Sequence, residues 1–145
     1  MVVQTVLGSC VAVCLWDRYL QYGGINHYLY PYVREKKKAT PVYGNVAIIA
    51  LVRMMEEAGC KRESMIAHIL GGAHPEDDPG YDTGDKNAEI ARRALNHCKI
   101  KIASEDIGGV MGRKIVFDTD TGQVAVLKVH QLRKSDWYSE RERGR

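Results

Sequence analysis

The sequence predicts an α/β domain built from hairpin-rich, mixed or antiparallel β-sheets, sandwich-like, with two main helices packed outside. Three observations carry this. Short runs rich in Val, Leu and Ile outnumber helical ones, and turn formers such as Gly8-Ser9, Gly71-Gly72 and Thr119-Asp120-Thr121-Gly122 separate them. Apolar residues recur at helical spacing in two stretches, one from Asn45 and one from Asp85. Two amphipathic helices can each cover one face, which leaves a sheet-dominated domain with helices on its outside.

In chain order, residues 2–7 and 11–16 read as strands broken by Gly8-Ser9. In the second, the period of two puts Cys10, Ala12, Cys14 and Trp16 on one face and Val11, Val13 and Leu15 on the other. Both faces are apolar, so this strand is expected to be buried on both sides. Residues 17–21 are polar enough for a turn. Residues 22–30 then resume an extended pattern before Pro31, a hairpin partner that returns His27 toward Cys10. The charged residues 34–41 read as a mobile loop.

From Asn45 a helix is expected to turn Ile48, Leu51, Met55 and Ala58 inward and Arg53, Glu56 and Glu57 outward, with Gly59 as its stop. Met54 and Met55 read as core filler rather than a cofactor-binding pair. Residues 65–70 form a strand running into Gly71-Gly72-Ala73-His74. The acidic, proline-rich residues 75–82 follow, open to reading as a functional loop or a solvated excursion. The second helix is expected to take Asp85 as its N-cap and to bury Ile90, Ala91, Ala94, Leu95 and Cys98. Residues 100–107 give a short strand, and residues 114–118 and 123–129 a hairpin. One domain is expected over residues 1–132, with a charged tail over 133–145 that frays.

Composition narrows the class. A hydrophobic share of 45% and a charged share of 27% suit a water-soluble domain. The formal net charge of +3 sits in short clusters, which argues against a nucleic-acid-binding face. No run is long enough to span a membrane, so direct membrane insertion is not expected. The first residues lack a secretory pattern, which predicts a cytoplasmic location. The cysteines Cys10, Cys14, Cys60 and Cys98 are spaced too unevenly for a disulfide framework or a zinc set. Cys60 and Cys98 read as small buried hydrophobes. No metal and no cofactor is expected.

Cys10 ends the Gly-Ser turn, where backbone N–H groups can gather around its sulfur, favour thiolate and hold an oxyanion. A histidine within reach would take the thiol proton, protonate the leaving group and then activate water. His27 is the best placed by the hairpin; His68 lies in an apolar strand, His74 follows a Gly-Gly turn, and His97 and His130 read as exposed. On spacing alone Cys10 reads as a structural thiol ahead of a nucleophile, because free cysteine is among the most buried residue types.

The blocks Leu7-Gly8-Ser9-Cys10-Val11-Ala12-Val13-Cys14-Leu15, Gly23-Gly24-Ile25-Asn26-His27-Tyr28-Leu29-Tyr30-Pro31, Gly71-Gly72-Ala73, Gly84-Asp85-Lys86-Asn87 and Glu105-Asp106-Ile107-Gly108-Gly109 with Gly112-Arg113-Lys114 occur in this order. In this the chain resembles the CheD family, the chemoreceptor glutamine deamidases of bacterial and archaeal chemotaxis, from about Thr5 to Val129. The resemblance implies a cysteine hydrolase that converts selected glutamines of receptor cytoplasmic domains to glutamates. It maps the nucleophile onto Cys10 and the acid/base onto His27, with oxyanion donors from the glycine-rich turn. The family's third catalytic member is a threonine just upstream of the cysteine block. Thr5 is the candidate, although the family position falls on Gln4, and in a strand one residue reverses the face. The resemblance further implies a CheC-type phosphatase as partner, so an adaptor with little deamidase activity is the alternative to an enzyme. Family members also carry residues before this start, including a strand, and a less acidic segment after Gly71-Gly72-Ala73.

Overall fold

The computed structural model describes residues 1–74 and 82–130. Its strands are β1 (Val2–Leu7), β2 (Val11–Asp17), β3 (Tyr22–Ile25), β4 (Met65–Gly71), β5 (Lys101–Ile107), β6 (Gly112–Asp118) and β7 (Val124–Val129). Its helices are α1 (Gly44–Glu57) and α2 (Thr83–His97). The strands form two sheets, ordered β1-β6-β7 and β3-β2-β4-β5. The first is antiparallel throughout. In the second, β2 runs antiparallel to both neighbours while β4 and β5 are parallel. A parallel pair cannot be closed by a tight turn, and α2 supplies the crossover between them.

Alternation along β2 decides the layering. Val11, Val13 and Leu15, with Ala67 and Ile69 of β4, meet Ile48, Leu51 and Met55 of α1 and Ala91 and Leu95 of α2. Ala12 and Cys14, with Leu70, meet Leu7, Ile115 and Phe117 of the three-stranded sheet. Val11 through Leu15 are all 0% exposed, so β2 is covered on both faces as its sequence predicts. The layers run helices, four-stranded sheet, three-stranded sheet. Strands β1 and β2 belong to different sheets, which makes Gly8-Ser9 the corner where the chain crosses between them.

Some local expectations are corrected. Asp85 is not the N-cap: α2 starts at Thr83 with Asp82 in that position, and no side chain caps it. The start is set by tertiary contact, since Gly84 lies so close to the carbonyls of Gly72 and Ala73 that a Cβ would collide with them. Met54 is exposed while Met55 is buried, because adjacent helical positions do not share a face. Ala58 is exposed at the C-cap of α1, where the chain has left the buried stripe. Within residues 34–41, Lys36–Lys38 form a single 3-10 turn. Cys60 and Cys98 are buried in the helix-side core. Residues 75–81 of the acidic segment and the tail 133–145 lie outside the described residues. Among the described residues no helix is long and apolar enough to cross a membrane.

Candidate active site

The Gly8-Ser9 corner is pinned from the far end of β4. The Ala73 N–H donates to the Gly8 carbonyl and the Gly72 N–H to the Cys10 carbonyl, each at 2.9 Å. That approach requires glycine at position 71, where φ is 109° and a Cβ would run into the Cys10 carbonyl. The pinned corner presents Cys10 half-buried at the margin of the core between the sheets. Among the described residues, the backbone N–H groups of Ser9 and Cys10 donate to no carbonyl.

Burial pushes the Cys10 thiol above its ordinary 9.0, and its own backbone N–H offsets only part of that. The sequence-based expectation of a favoured thiolate is thereby corrected: loss of hydration outweighs the local N–H, and the resting group is a thiol. Cys14 on the same face is fully buried and pushed up to about 12, which leaves it inert near neutral pH.

His27 is carried by the continuation of the β2–β3 hairpin. The ladder opposes Cys14 to Ile25 and Asp17 to Tyr22. Beyond β3, Asn26 N–H donates to the Val13 carbonyl, and Val11 and Tyr28 exchange both backbone bonds. The same register sets His27 opposite Ala12. Directly opposed residues of an antiparallel pair project to one face, so the His27 ring leaves on the face of Ala12 and Cys10. Cys10 is then its diagonal cross-strand neighbour on the same face. The residue is exposed, yet desolvation of the ring holds its pKa below the ordinary 6.5, so it is a neutral imidazole near pH 7.

Thr5 approaches from the other sheet. On β1 it opposes Ile115, a buried residue of the core between the sheets, whereas Gln4 opposes Val116 and is exposed. The Thr5 Oγ1 lies 2.8 Å from His27 Nδ1. Thr5 and not Gln4 therefore meets the histidine. The other histidines are engaged elsewhere or exposed. His68 opposes Cys14 and bonds the Ser104 hydroxyl, His74 Nε2 lies 2.8 Å from the Asp85 carboxylate, and His97 and His130 are on the surface. No group of three or more His, Cys, Asp or Glu side chains arranged to hold a metal occurs among the described residues.

The family model for CheD chemotactic sensory transduction matches residues 31–128. The chain belongs to the CheD family. The matched span starts downstream of both Cys10 and His27, so it does not rest on the residues of the candidate site. The protein of Sulfurimonas denitrificans named "Probable chemoreceptor glutamine deamidase CheD" is 45% identical over 133 residues, covering 90% of this chain and 85% of its own length. Proteins of the same name from Trichlorobacter lovleyi and Methanococcus vannielii are 39% and 32% identical, covering 84% and 90% of this chain and 77% and 87% of theirs.

In this CheD chain two further polar residues frame the site; both stand in the sequence blocks that carry the resemblance, where neither has an assigned role. Asn26 Oδ1 accepts the Val13 N–H at 2.9 Å, which stiffens the segment leading into His27. Asn87, fully buried in α2, donates from Nδ2 to the carbonyls of Ser9 at 3.0 Å and Leu29 at 2.9 Å. A signal for Asn87 did exist: it precedes Ile90, Ala91 and Ala94 at helical spacing, which places an amide on the apolar face of its helix.

Proposed function

We propose that this chain hydrolyses the side-chain carboxamides of selected glutamines in chemoreceptor cytoplasmic domains to carboxylates, with Cys10 as nucleophile, His27 as acid/base and Thr5 as the residue that orients it. The observation that carries this is the 2.8 Å contact between Thr5 Oγ1 and His27 Nδ1. If the Thr5 oxygen accepts the Nδ1 proton, the lone pair of Nε2 is left for the thiol. The relatives' shared name supports the substrate.

Cys10 and His27 both start neutral, so the nucleophile is made by proton transfer rather than held as a resting ion pair. Nε2 takes the thiol proton as sulfur attacks the amide carbon, and the carbonyl oxygen becomes an oxyanion. The Ser9 and Cys10 N–H groups are the donors proposed for it. Collapse breaks the carbon–nitrogen bond, and His27 returns the proton so that ammonia departs, leaving a thioester on Cys10. Water then attacks the thioester carbon and gives a proton to His27. The carbon–sulfur bond breaks, the thiol regains its proton, and the product is glutamate, available for methylation.

This function sets the chain in the cytoplasm, with residues 1–132 as the deamidase unit and 133–145 as a tail. A CheC-type phosphatase is the second proposed partner. Incubation with a receptor cytoplasmic fragment, followed by mass spectrometry of its glutamine-bearing peptides, tests the reaction. Conversion of amide to acid with wild type, and none with Cys10→Ala, is the expected result. Unchanged peptides together with tight phosphatase binding would sink the enzyme reading in favour of an adaptor.

A further inference from the structure

We infer that Asn87 is a positioning residue for this reaction, a clamp on α2 that sets the separation between the segment bearing Cys10 and the segment bearing His27; the inference rests on the assignment of those two residues proposed above. A single NH2 group makes both bonds, to the carbonyl of Ser9 directly before Cys10 and to that of Leu29 two positions after His27. The amide orientation follows from its partners, since turning it over would set Oδ1 against two carbonyl oxygens. A third bond joins the same residue to the histidine segment: the Tyr28 hydroxyl donates to the Asn87 carbonyl at 2.6 Å. Tyr28 directly follows His27 and is 0% exposed.

The place of these bonds matters. The Val11–Tyr28 bridge ties the two segments together, but Ser9 and Leu29 both lie beyond it, where no ladder continues. There the helix takes over the work of the sheet. Packing alone does not account for the residue. Asn87 Oδ1 is buried without a hydrogen-bond partner among the described residues, an arrangement that destabilises the fold relative to an apolar side chain of the same size. What asparagine adds over leucine is the pair of donors.

The full chain with Asn87→Leu tests this, using kcat and KM on the receptor fragment and the pH dependence of Cys10 alkylation by iodoacetamide. A misplacement of the reacting groups is expected to lower kcat by about 10- to 100-fold with KM unchanged. Alkylation assisted by His27 follows the titration of the ring, so its inflection, below 6.5 with the imidazole in place, is expected to move up to the thiol's own range above 9.0 once the imidazole no longer stands where it can take the thiol proton. Tyr28→Phe removes the third bond with little change of volume and is expected to move both readouts in the same direction by less. All proteins are compared at a temperature where circular dichroism shows them folded. A folded Asn87→Leu with wild-type kcat overturns the clamp, and so does a fall in kcat with an unmoved inflection. If Asn87→Leu fails to fold, Tyr28→Phe decides by the same two readouts. Cys10→Ala separates the two levels: retained deamidation overturns the site itself, whereas an inactive Cys10→Ala beside a fully active Asn87→Leu overturns the clamp alone.

Discussion

Thr5 and His27 are 22 residues apart in sequence and 2.8 Å apart in space, one on β1 of the three-stranded sheet and the other on the segment just past β3 of the four-stranded sheet. A hydroxyl at that distance holds the ring in one orientation, and in the proposed mechanism it accepts from Nδ1–H and so leaves the Nε2 lone pair for the thiol. Thr5→Val keeps the β-branched shape of the strand residue and removes the oxygen. It is expected to lower kcat/KM by about 10- to 100-fold, while the melting temperature changes by no more than loss of one hydrogen bond, about 1 kcal/mol. Steady-state kinetics beside a thermal melt checks both. His27→Ala removes the acid/base itself and is expected to cost about 100- to 10,000-fold in kcat. Because desolvation holds the His27 pKa below 6.5, kcat/KM is expected to fall on acidification with an inflection below that value. A profile flat down to the carboxylate range would remove His27 from the mechanism.

At the scale of elements, the site depends on where β4 ends. Gly71 and Gly72 both adopt positive φ, and their turn hands two N–H groups to the carbonyls flanking Ser9. Gly84 then lets α2 begin against that same turn, so one contact serves the strand end, the cysteine corner and the helix start. Gly71→Ala meets both a left-handed backbone and the Cys10 carbonyl. It is expected to destabilise the fold by more than about 1 kcal/mol and to lower kcat along with it, measured by denaturant unfolding and turnover of the receptor fragment. A variant of full activity and stability would show that the corner does not need this approach. The sequence marks the turn through its glycines, but not what it touches, because the hydrogen bonds from Gly72 to Cys10 and from Ala73 to Gly8 join segments that no local pattern relates.

For the whole molecule, burial of titrating groups predicts a bounded range of stability. His27 and His68 have folded pKa values below the ordinary 6.5 through desolvation. The unfolded chain then binds more protons, and stability falls as pH drops below 6.5. Asp17 and Asp106 are desolvated too, but hydrogen bonds to Asp17, and Arg113 and Lys128 beside Asp106, bring both below the ordinary 3.8. Their contribution is present above 3.8 and is lost as pH falls through the lower folded values. Cys10, Cys14 and Cys60 are raised above 9.0, chiefly by burial. Their contribution is complete below 9.0 and is lost as pH rises beyond it. Thermal melts across pH are therefore expected to show a plateau between about 6.5 and 9, with losses on both sides. A maximum below pH 5 would contradict this assignment.

Sequence alone determined the alternation of β2 between two apolar faces, the helical stripes of α1 and α2, the hairpin that returns His27, and the cysteine at the Gly8-Ser9 corner. Each of these follows from spacing within a few residues, where side-chain direction is tied to the backbone period. Family resemblance added Thr5 without settling its phase against Gln4. Tertiary structure alone decided that Thr5 faces His27, that α2 starts at Thr83 rather than behind an Asp85 cap, and that Asn87 reaches Ser9 and Leu29. It also reversed the expectation for the sulfur, since burial by a second sheet raises the Cys10 thiol where the local N–H would lower it. The physical reason is the same throughout: these outcomes belong to contacts between layers, and the free energy of such contacts depends on what arrives from distant parts of the chain.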